Sequence, residues 1–66
     1  MKAFSRLPDG TIHKLYDKEN DWQVITTKPD GSTSERWFCA WRGREDESIY
    51  RAMKETAPIE TWTILQ

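Results

Sequence analysis

The chain has one cysteine and one histidine among its 66 residues. A single cysteine cannot form an internal disulfide, which favours a reducing compartment. Cys39 and His13 would leave a zinc site two ligands short, and a Cys–His dyad would require the two residues to meet across separate segments. We therefore expect no metal and no cofactor. We interpret Cys39 as a small buried residue between aromatics and His13 as a surface residue.

Long apolar segments and a large net charge are also missing. No stretch reaches the ~18 apolar residues that a membrane-spanning helix needs, and residues 1–8 lack the apolar core of a signal peptide. The formal net charge is −1, which is too small to indicate a nucleic-acid partner by charge alone. These absences predict a cytoplasmic protein that does not bind membranes.

Catalytic motifs are absent as well. No glycine-rich loop precedes a helix in the phosphate-binding pattern. The acidic run Glu45, Asp46, Glu47 could suggest a divalent cation, but carboxylates at the start of a predicted helix are explained more simply by the helix dipole. We therefore predict that the protein is not an enzyme.

Tryptophan is what the chain does have. Hydrophobic residues make up only 36% of the sequence, yet four of them are tryptophans, each able to bury about 150–250 Å². A chain of this length holds one core, so we expect residues 1–66 to form a single small domain. We predict that four residues dominate its core: Trp22, Trp37, Trp41 and Trp62.

The tripeptide Pro-Asp-Gly occurs twice, at residues 8–10 and 29–31. Proline sets φ for the second position of a type I turn, aspartate suits the third, and glycine accepts the positive φ that follows. This is the pattern of a three-residue hairpin loop with a bulge at glycine. The turns therefore predict two hairpins, made of these strands: 2–7 with 11–16, and 22–27 with 34–41.

The turn geometry also predicts the register of each hairpin. Phe4 should lie opposite Lys14 in the first hairpin, and Val24 opposite Arg36 in the second. Residues 17–21 are all charged or amide side chains, and we interpret them as a loop between the hairpins.

The segment Ser34–Trp41 contains the longest apolar run and is predicted to be a central strand. Alternation sends Trp37, Cys39 and Trp41 to one face, and Arg36 and Phe38 to the other. Both faces of this part of the sheet then carry apolar groups, which is unusual for an antiparallel sheet with one solvated side. We expect a helix to cover one face and a partner to cover the other.

The last third of the chain predicts that helix and one more strand. Asp46 is a suitable N-cap for a helix over residues 47–56, and Pro58 ends it. The helix buries a stripe at i, i+3, i+4 and i+7: Ile49, Ala52, Met53 and Thr56. Residues 59–65 alternate as a fifth strand. The predicted fold class is α+β, a small antiparallel β-sheet of four to five strands with one helix packed on it, in the order β-β-β-β-α-β.

Arginines beside aromatics are the strongest functional signal, because tryptophan, tyrosine and arginine dominate protein-interface hot spots. We predict a small non-enzymatic macromolecule-binding module, most simply a protein–protein module of accessory or inhibitor type, such as a phage or mobile element would encode. Self-association as a homodimer would satisfy the same pattern. The candidate binding residues are Trp22, Arg36, Phe38, Arg42 and Arg44.

The same residues allow two alternatives to a protein-binding module. Arginine beside aromatics can also hold single-stranded nucleic acid by phosphate contact and base stacking, here through Arg36, Phe38, Arg42 and Arg44. The arginine stems could equally cover the protein's own aromatic rings and have no partner at all.

Overall fold

A computed structural model describes residues 1–65 as a five-stranded antiparallel sheet with one helix across it. The strands lie in the order β4-β3-β2-β1-β5. Their bounds are Ala3–Arg6 (β1), Ile12–Lys18 (β2), Asp21–Thr27 (β3), Thr33–Cys39 (β4) and Trp62–Ile64 (β5). The helix α1 spans Glu45–Thr56, and a 3₁₀ turn follows at Ile59–Thr61. The predicted fold class and element order are confirmed.

Both Pro-Asp-Gly segments form the predicted turns. The Asp9 carboxylate accepts a hydrogen bond from the Thr11 amide at 2.9 Å, and Asp30 accepts one from the Ser32 amide at 2.9 Å. The hydrogen bond from the Thr11 amide lowers the pKa of Asp9 below its ordinary value, and hydrogen bonds from the Ser32 side chain and then from its amide lower that of Asp30. The predicted registers are also confirmed, since Phe4 pairs with Lys14 and Val24 with Arg36.

The two turn glycines provide a matched test of backbone strain. Gly10 has φ +96° and Gly31 has φ +89°, where an L side chain costs about 1–2 kcal/mol. A Cβ at Gly31 would meet nothing within 4 Å, and one at Gly10 would only reach ordinary contact with Pro29 at 3.6 Å. We therefore expect G10A and G31A each to lower the free energy of unfolding by about 1–2 kcal/mol, measured by urea titration. Ser32→Ala is the control. If either glycine variant is as stable as Ser32→Ala, the positive φ at that glycine does not make an alanine side chain unfavourable.

The predicted loop over residues 17–21 is wrong. β2 continues to Lys18 and β3 starts at Asp21, so only Glu19 and Asn20 connect the two strands. Glu19 takes a positive φ of 55°, which makes this tight connection without glycine or proline. The Asn20 carbonyl then accepts a hydrogen bond from the Ala40 amide at 2.9 Å, so this turn lies beside the end of β4.

The prediction that Ser34–Trp41 forms a central strand is also wrong. β4 lies at the edge of the sheet, and of its seven residues only Phe38 is partly buried. The strand ends at Cys39 because its neighbour β3 begins at the paired residue Asp21. Trp41 therefore leaves the sheet and does not share a face with Trp37.

The core lies between α1 and one face of the sheet, which we call the inner face. Seven apolar residues are buried there: Ala3, Leu15, Trp22, Val24, Ile49, Ala52 and Met53. Of the four tryptophans predicted to form the core, Trp22 alone is fully buried, Trp41 and Trp62 are partly buried, and Trp37 is 49% exposed. The Trp22 indole N–H donates to the Ser48 hydroxyl at 2.8 Å, which ties β3 to α1.

The helix starts earlier than predicted. Arg44, not Asp46, is the N-cap residue, and no side chain caps the first turn. The Glu45 carboxylate accepts a hydrogen bond from the Gly43 amide at 3.0 Å, and this interaction joins the helix start to the preceding turn. The acidic first turn is still favourable at the positive end of the helix dipole.

The buried side of the helix and its end follow the prediction more closely. Ile49, Ala52 and Met53 are buried, and Ala57 is extended before Pro58. The fifth strand is shorter than predicted because the 3₁₀ turn occupies its first residues. Within residues 1–65, no helix has the length and apolar character needed to cross a bilayer.

His13 is not the surface residue that we predicted. It lies on the inner face with 7% of its surface exposed, and its Nδ1 is 2.7 Å from the Thr26 hydroxyl. The ring stacks on Trp62 with 6.1 Å between ring centroids. Burial lowers the pKa of His13 below its ordinary value, because removal from water disfavours the charged imidazolium.

Candidate functional site

The arginines and several aromatic rings come together where the chain passes from β4 into α1. The guanidinium carbon of Arg44 lies 4.9 Å from the Trp41 ring centroid, and that of Arg51 lies 5.5 Å from it. Both distances suit a cation–π contact. We call the surface depression beside Trp41 the Trp41 groove; its volume is about 580 Å³. Its lining consists of Trp41, Asp46, Glu47, Tyr50, Arg51 and Lys54.

A turn at residues 41–44 produces this arrangement. The Arg44 amide donates to the Trp41 carbonyl at 2.8 Å, and Gly43 takes the positive φ of 78° that the reversal requires. The turn leaves Trp41 against the first turns of α1. Helical residues three or four apart share a face, so Glu47, Tyr50 and Lys54 continue one side of the helix beside it.

Carboxylates hold the arginines of this surface in place. Arg44 pairs with Glu47 at 2.7 Å, and Arg51 pairs with Glu55 at 2.6 Å. The pair with Arg44 lowers the pKa of Glu47 and raises that of Arg44. Exposed ion pairs contribute little to folding stability. Their relevance to this site is the arrangement itself, in which each guanidinium group lies between a carboxylate and the Trp41 ring.

A second, smaller groove of about 230 Å³ joins the first at Trp41 and Arg51. Arg36 lies along it with its guanidinium carbon 4.6 Å from the Phe38 ring centroid and its Nη2 3.6 Å from the Glu55 carboxylate. The two grooves thus form one continuous surface from β4 to the exposed side of α1.

The structure places four of the five predicted site residues in or beside this surface. Arg36 and Phe38 line the smaller groove, and Arg44 stacks on Trp41. Arg42 is exposed in the turn. Backbone hydrogen bonds from the amides of Glu45 and Gly43 lower the pKa of Glu45, and the charge of Arg42 adds to that effect. The prediction for Trp22 is wrong, because this residue is 4% exposed in the core and cannot contact a partner.

Sequence reasoning missed the helical half of the surface. Tyr50 is 48% exposed, and it lies with Arg51 and Lys54 on the side of α1 away from the buried stripe. An aromatic side chain on the polar side of an amphipathic helix was the signal that could have identified it. Trp41 was recognised as apolar but was assigned to the sheet.

The sheet face opposite α1, which we call the outer face, is a second apolar surface. The strand registers place five apolar side chains on it: Phe4, Ile12, Tyr16, Ile25 and Trp37. All five are at least partly exposed, and no element within residues 1–65 packs over them. The predicted presence of apolar groups on both faces is therefore confirmed.

Within residues 1–65, the lone cysteine and the lone histidine lie on opposite faces of the sheet. Cys39 is exposed on the outer face of β4, so the prediction of a buried thiol is wrong, and His13 lies on the inner face of β2. Ser5 is paired across the strands with His13, but its hydroxyl bonds to Thr61 at 2.6 Å while His13 bonds to Thr26. Among residues 1–65, no group of three histidine, cysteine, aspartate or glutamate side chains could hold a metal ion.

The features that distinguish this chain are thus a surface of ordered arginines around Trp41 and Tyr50, an uncovered outer face and an edge strand. Comparison with protein-family models, curated proteins and solved structures found nothing similar to this chain.

Proposed function

We propose that this protein is a small non-enzymatic module that binds a partner protein through the Trp41 groove. The observation that carries the proposal is the exposed Tyr50 ring beside a half-buried Trp41 whose flanking arginines are already ordered. Tyrosine, tryptophan and arginine are the residue types enriched at interface hot spots. The groove brings all three together on one side of the molecule.

Tyr50 has no role in the core that would explain its position. Nearly half of its surface is exposed, and its cation–π neighbour is Lys54, whose Nζ lies 5.8 Å from the ring centroid. Its hydroxyl forms no side-chain hydrogen bond within the described part of the chain. A large amphipathic side chain left open in this way is suited to contact a partner.

The groove also indicates the chemistry of the partner. Its lining combines two aromatic rings, Trp41 and Tyr50, with side chains of both charges, such as Asp46 and Lys54. This combination suits a protein segment that inserts an apolar or aromatic side chain between flanking charged residues of both signs. Because ion pairs already hold Arg44 and Arg51, less side-chain entropy would be lost on binding.

The same charges disfavour the nucleic-acid alternative. Three carboxylates lie on this surface and would repel phosphates: Asp46, Glu47 and Glu55. Arg36, Arg44 and Arg51 are already paired with two of these carboxylates, Glu47 and Glu55. Quenching of tryptophan fluorescence by an oligonucleotide at low salt, fading as salt rises, would favour nucleic acid over protein.

A displayed library of random peptides tests the proposal. We expect the purified chain to select peptides with an apolar anchor flanked by charges, and Tyr50→Ala to weaken the binding of the selected peptides at least ~30-fold, which is the effect of removing a hot-spot side chain. Binding is measured by titration calorimetry.

The matched control is Ile64→Ala. Ile64 is 57% exposed, so this variant removes a similarly open apolar side chain, but it lies on β5 at the opposite edge of the sheet. It should bind the peptides like the unaltered protein. The proposal is wrong if no peptides are selected, or if the Tyr50 and Ile64 variants lose affinity equally.

A further inference from the structure

The two edges of the sheet differ in how they are protected. β5 has three residues, whereas β4 has seven, is exposed along most of its length and contains neither proline nor lysine. Natural proteins block edge-to-edge pairing with short strands, prolines and charged side chains, especially lysine, and of these devices β4 has only the charges of Glu35 and Arg36. β4 is therefore an open edge, and its chemistry indicates what pairs with it.

Backbone hydrogen bonding identifies the groups that β4 leaves free. The amide of Lys28 donates to the Ser32 carbonyl at 2.9 Å, and the amide of Ala40 donates to the Asn20 carbonyl at 2.9 Å. Bonded and non-bonded pairs alternate along an antiparallel ladder. The even-numbered residues of β4 thus bond to β3, and four odd-numbered residues turn their N–H and C=O groups outward: Thr33, Glu35, Trp37 and Cys39.

We propose that a second copy of this chain pairs with that edge, so that two β4 strands run antiparallel and join two five-stranded sheets into one. The two-fold axis passes through Trp37. This inference concerns the backbone edge of β4 with Arg36, Trp37 and Phe38, which line the smaller groove and not the Trp41 groove. It does not rest on the proposed function.

The charges on β4 select this register. A two-fold axis perpendicular to the sheet puts the inner faces of both copies on the same side. Paired residues must then lie on the same face, and because side chains alternate along a strand, the axis passes through a residue position and not between two residues. Only registers centred on Glu35, Arg36 or Trp37 overlap most of the strand. The register centred on Glu35 places two Glu35 side chains opposite each other, and the register centred on Arg36 places two Arg36 side chains opposite each other. Like charges directly opposite one another are destabilising.

The register centred on Trp37 replaces those repulsions with attractive pairs. It places Arg36 opposite Phe38 of the partner subunit, which is the same pair of residue types that already stacks within one chain at 4.6 Å. On the outer face, Trp37 meets its own copy in an aromatic cross-strand pair. The net charge of −1 per chain gives little repulsion between the two copies.

Sedimentation equilibrium over a range of protein concentrations tests the pairing. We expect a monomer–dimer equilibrium that Trp37→Lys shifts at least tenfold toward monomer, because it places two ammonium groups opposite each other at the axis. Thr63→Lys is the matched control, with the same added charge on exposed β5 at the other edge. A chain that stays monomeric at millimolar concentration overturns the proposal, and so does a dimer that Trp37→Lys leaves unchanged.

Disulfide formation tests the register itself. In the proposed dimer Glu35 lies opposite Cys39 of the partner subunit, with Cα atoms about 5.5 Å apart, which is within disulfide range. Glu35→Cys should therefore form covalent dimers on oxidation, and Cys39→Ser in the same chain should abolish them. Thr33→Cys would cross-link to Cys39 only in the register centred on Arg36. Preferential cross-linking of that variant would overturn the assignment of the axis to Trp37.

Discussion

Trp22→Ala is expected to remove much or all of the folding stability of the chain. Trp22 is 4% exposed and contributes both a ring to the core and an indole N–H to the Ser48 hydroxyl. Replacing a buried tryptophan by alanine costs about 3–5 kcal/mol. A domain of 66 residues has a total stability of roughly 3–10 kcal/mol, so this one substitution removes much or all of it.

Far-UV circular dichroism during a urea titration measures this effect without relying on tryptophan fluorescence. The matched control is Trp37→Ala, which removes the same side chain from a position that is 49% exposed. At a protein concentration where sedimentation shows a monomer, so that association through Trp37 adds nothing to stability, this variant should keep the transition to within about 1 kcal/mol. If Trp22→Ala unfolds at nearly the same urea concentration as this control, the helix is not anchored to the sheet through Trp22.

The hairpins could be predicted because their information is local. In each Pro-Asp-Gly turn, three adjacent residues set the backbone angles and hence the register, and the pairs of Phe4 with Lys14 and Val24 with Arg36 followed from that alone. The tight connection at Glu19 carried no such signal. Glu19 takes a positive φ of 55° there, which is unfavourable for a residue other than glycine and is stabilised by the pairing of the flanking strands, so the sequence there resembled a loop.

Strand order could not be predicted because it depends on contacts between distant segments. β5 adds to the far side of β1, which encloses the small residues Ala3 and Ser5 and leaves β4 at the opposite edge. An apolar run measures how much surface a segment could bury, and it does not show which neighbours will cover it. That is why the run ending at Trp41 was assigned to the centre of the sheet.

The candidate site could be predicted only in part, because some of its contacts join segments that are distant in the sequence. Arginines and aromatics close together in the sequence, such as Arg36 and Phe38, remain close in the fold. Trp41 meets Arg51 only because the turn at residues 41–44 folds the chain back onto α1. Trp22 was misassigned because a tryptophan gives the same sequence signal in a core as in an interface.

Leu15→Ala is expected to have the second-largest effect on stability. Leu15 lies on β2, the middle strand, with 0% of its surface exposed and with Ala3 and Val24 as its cross-strand neighbours. The small Ala3 cannot expand into the space that leucine would vacate. We therefore expect a persistent cavity and a loss of about 2–5 kcal/mol in the free energy of unfolding, measured by urea titration at micromolar protein concentration.

Ile12→Ala on the same strand shows whether that loss comes from packing under the helix. Ile12 is a half-buried residue on the outer face, so removing its side chain from a monomer should cost only about 1 kcal/mol. Equal losses for the two variants would mean that something covers the outer face as completely as α1 covers the inner one. Dilution then separates the causes, because a cover supplied by a second copy is lost at low concentration and the cost of Ile12→Ala falls with it.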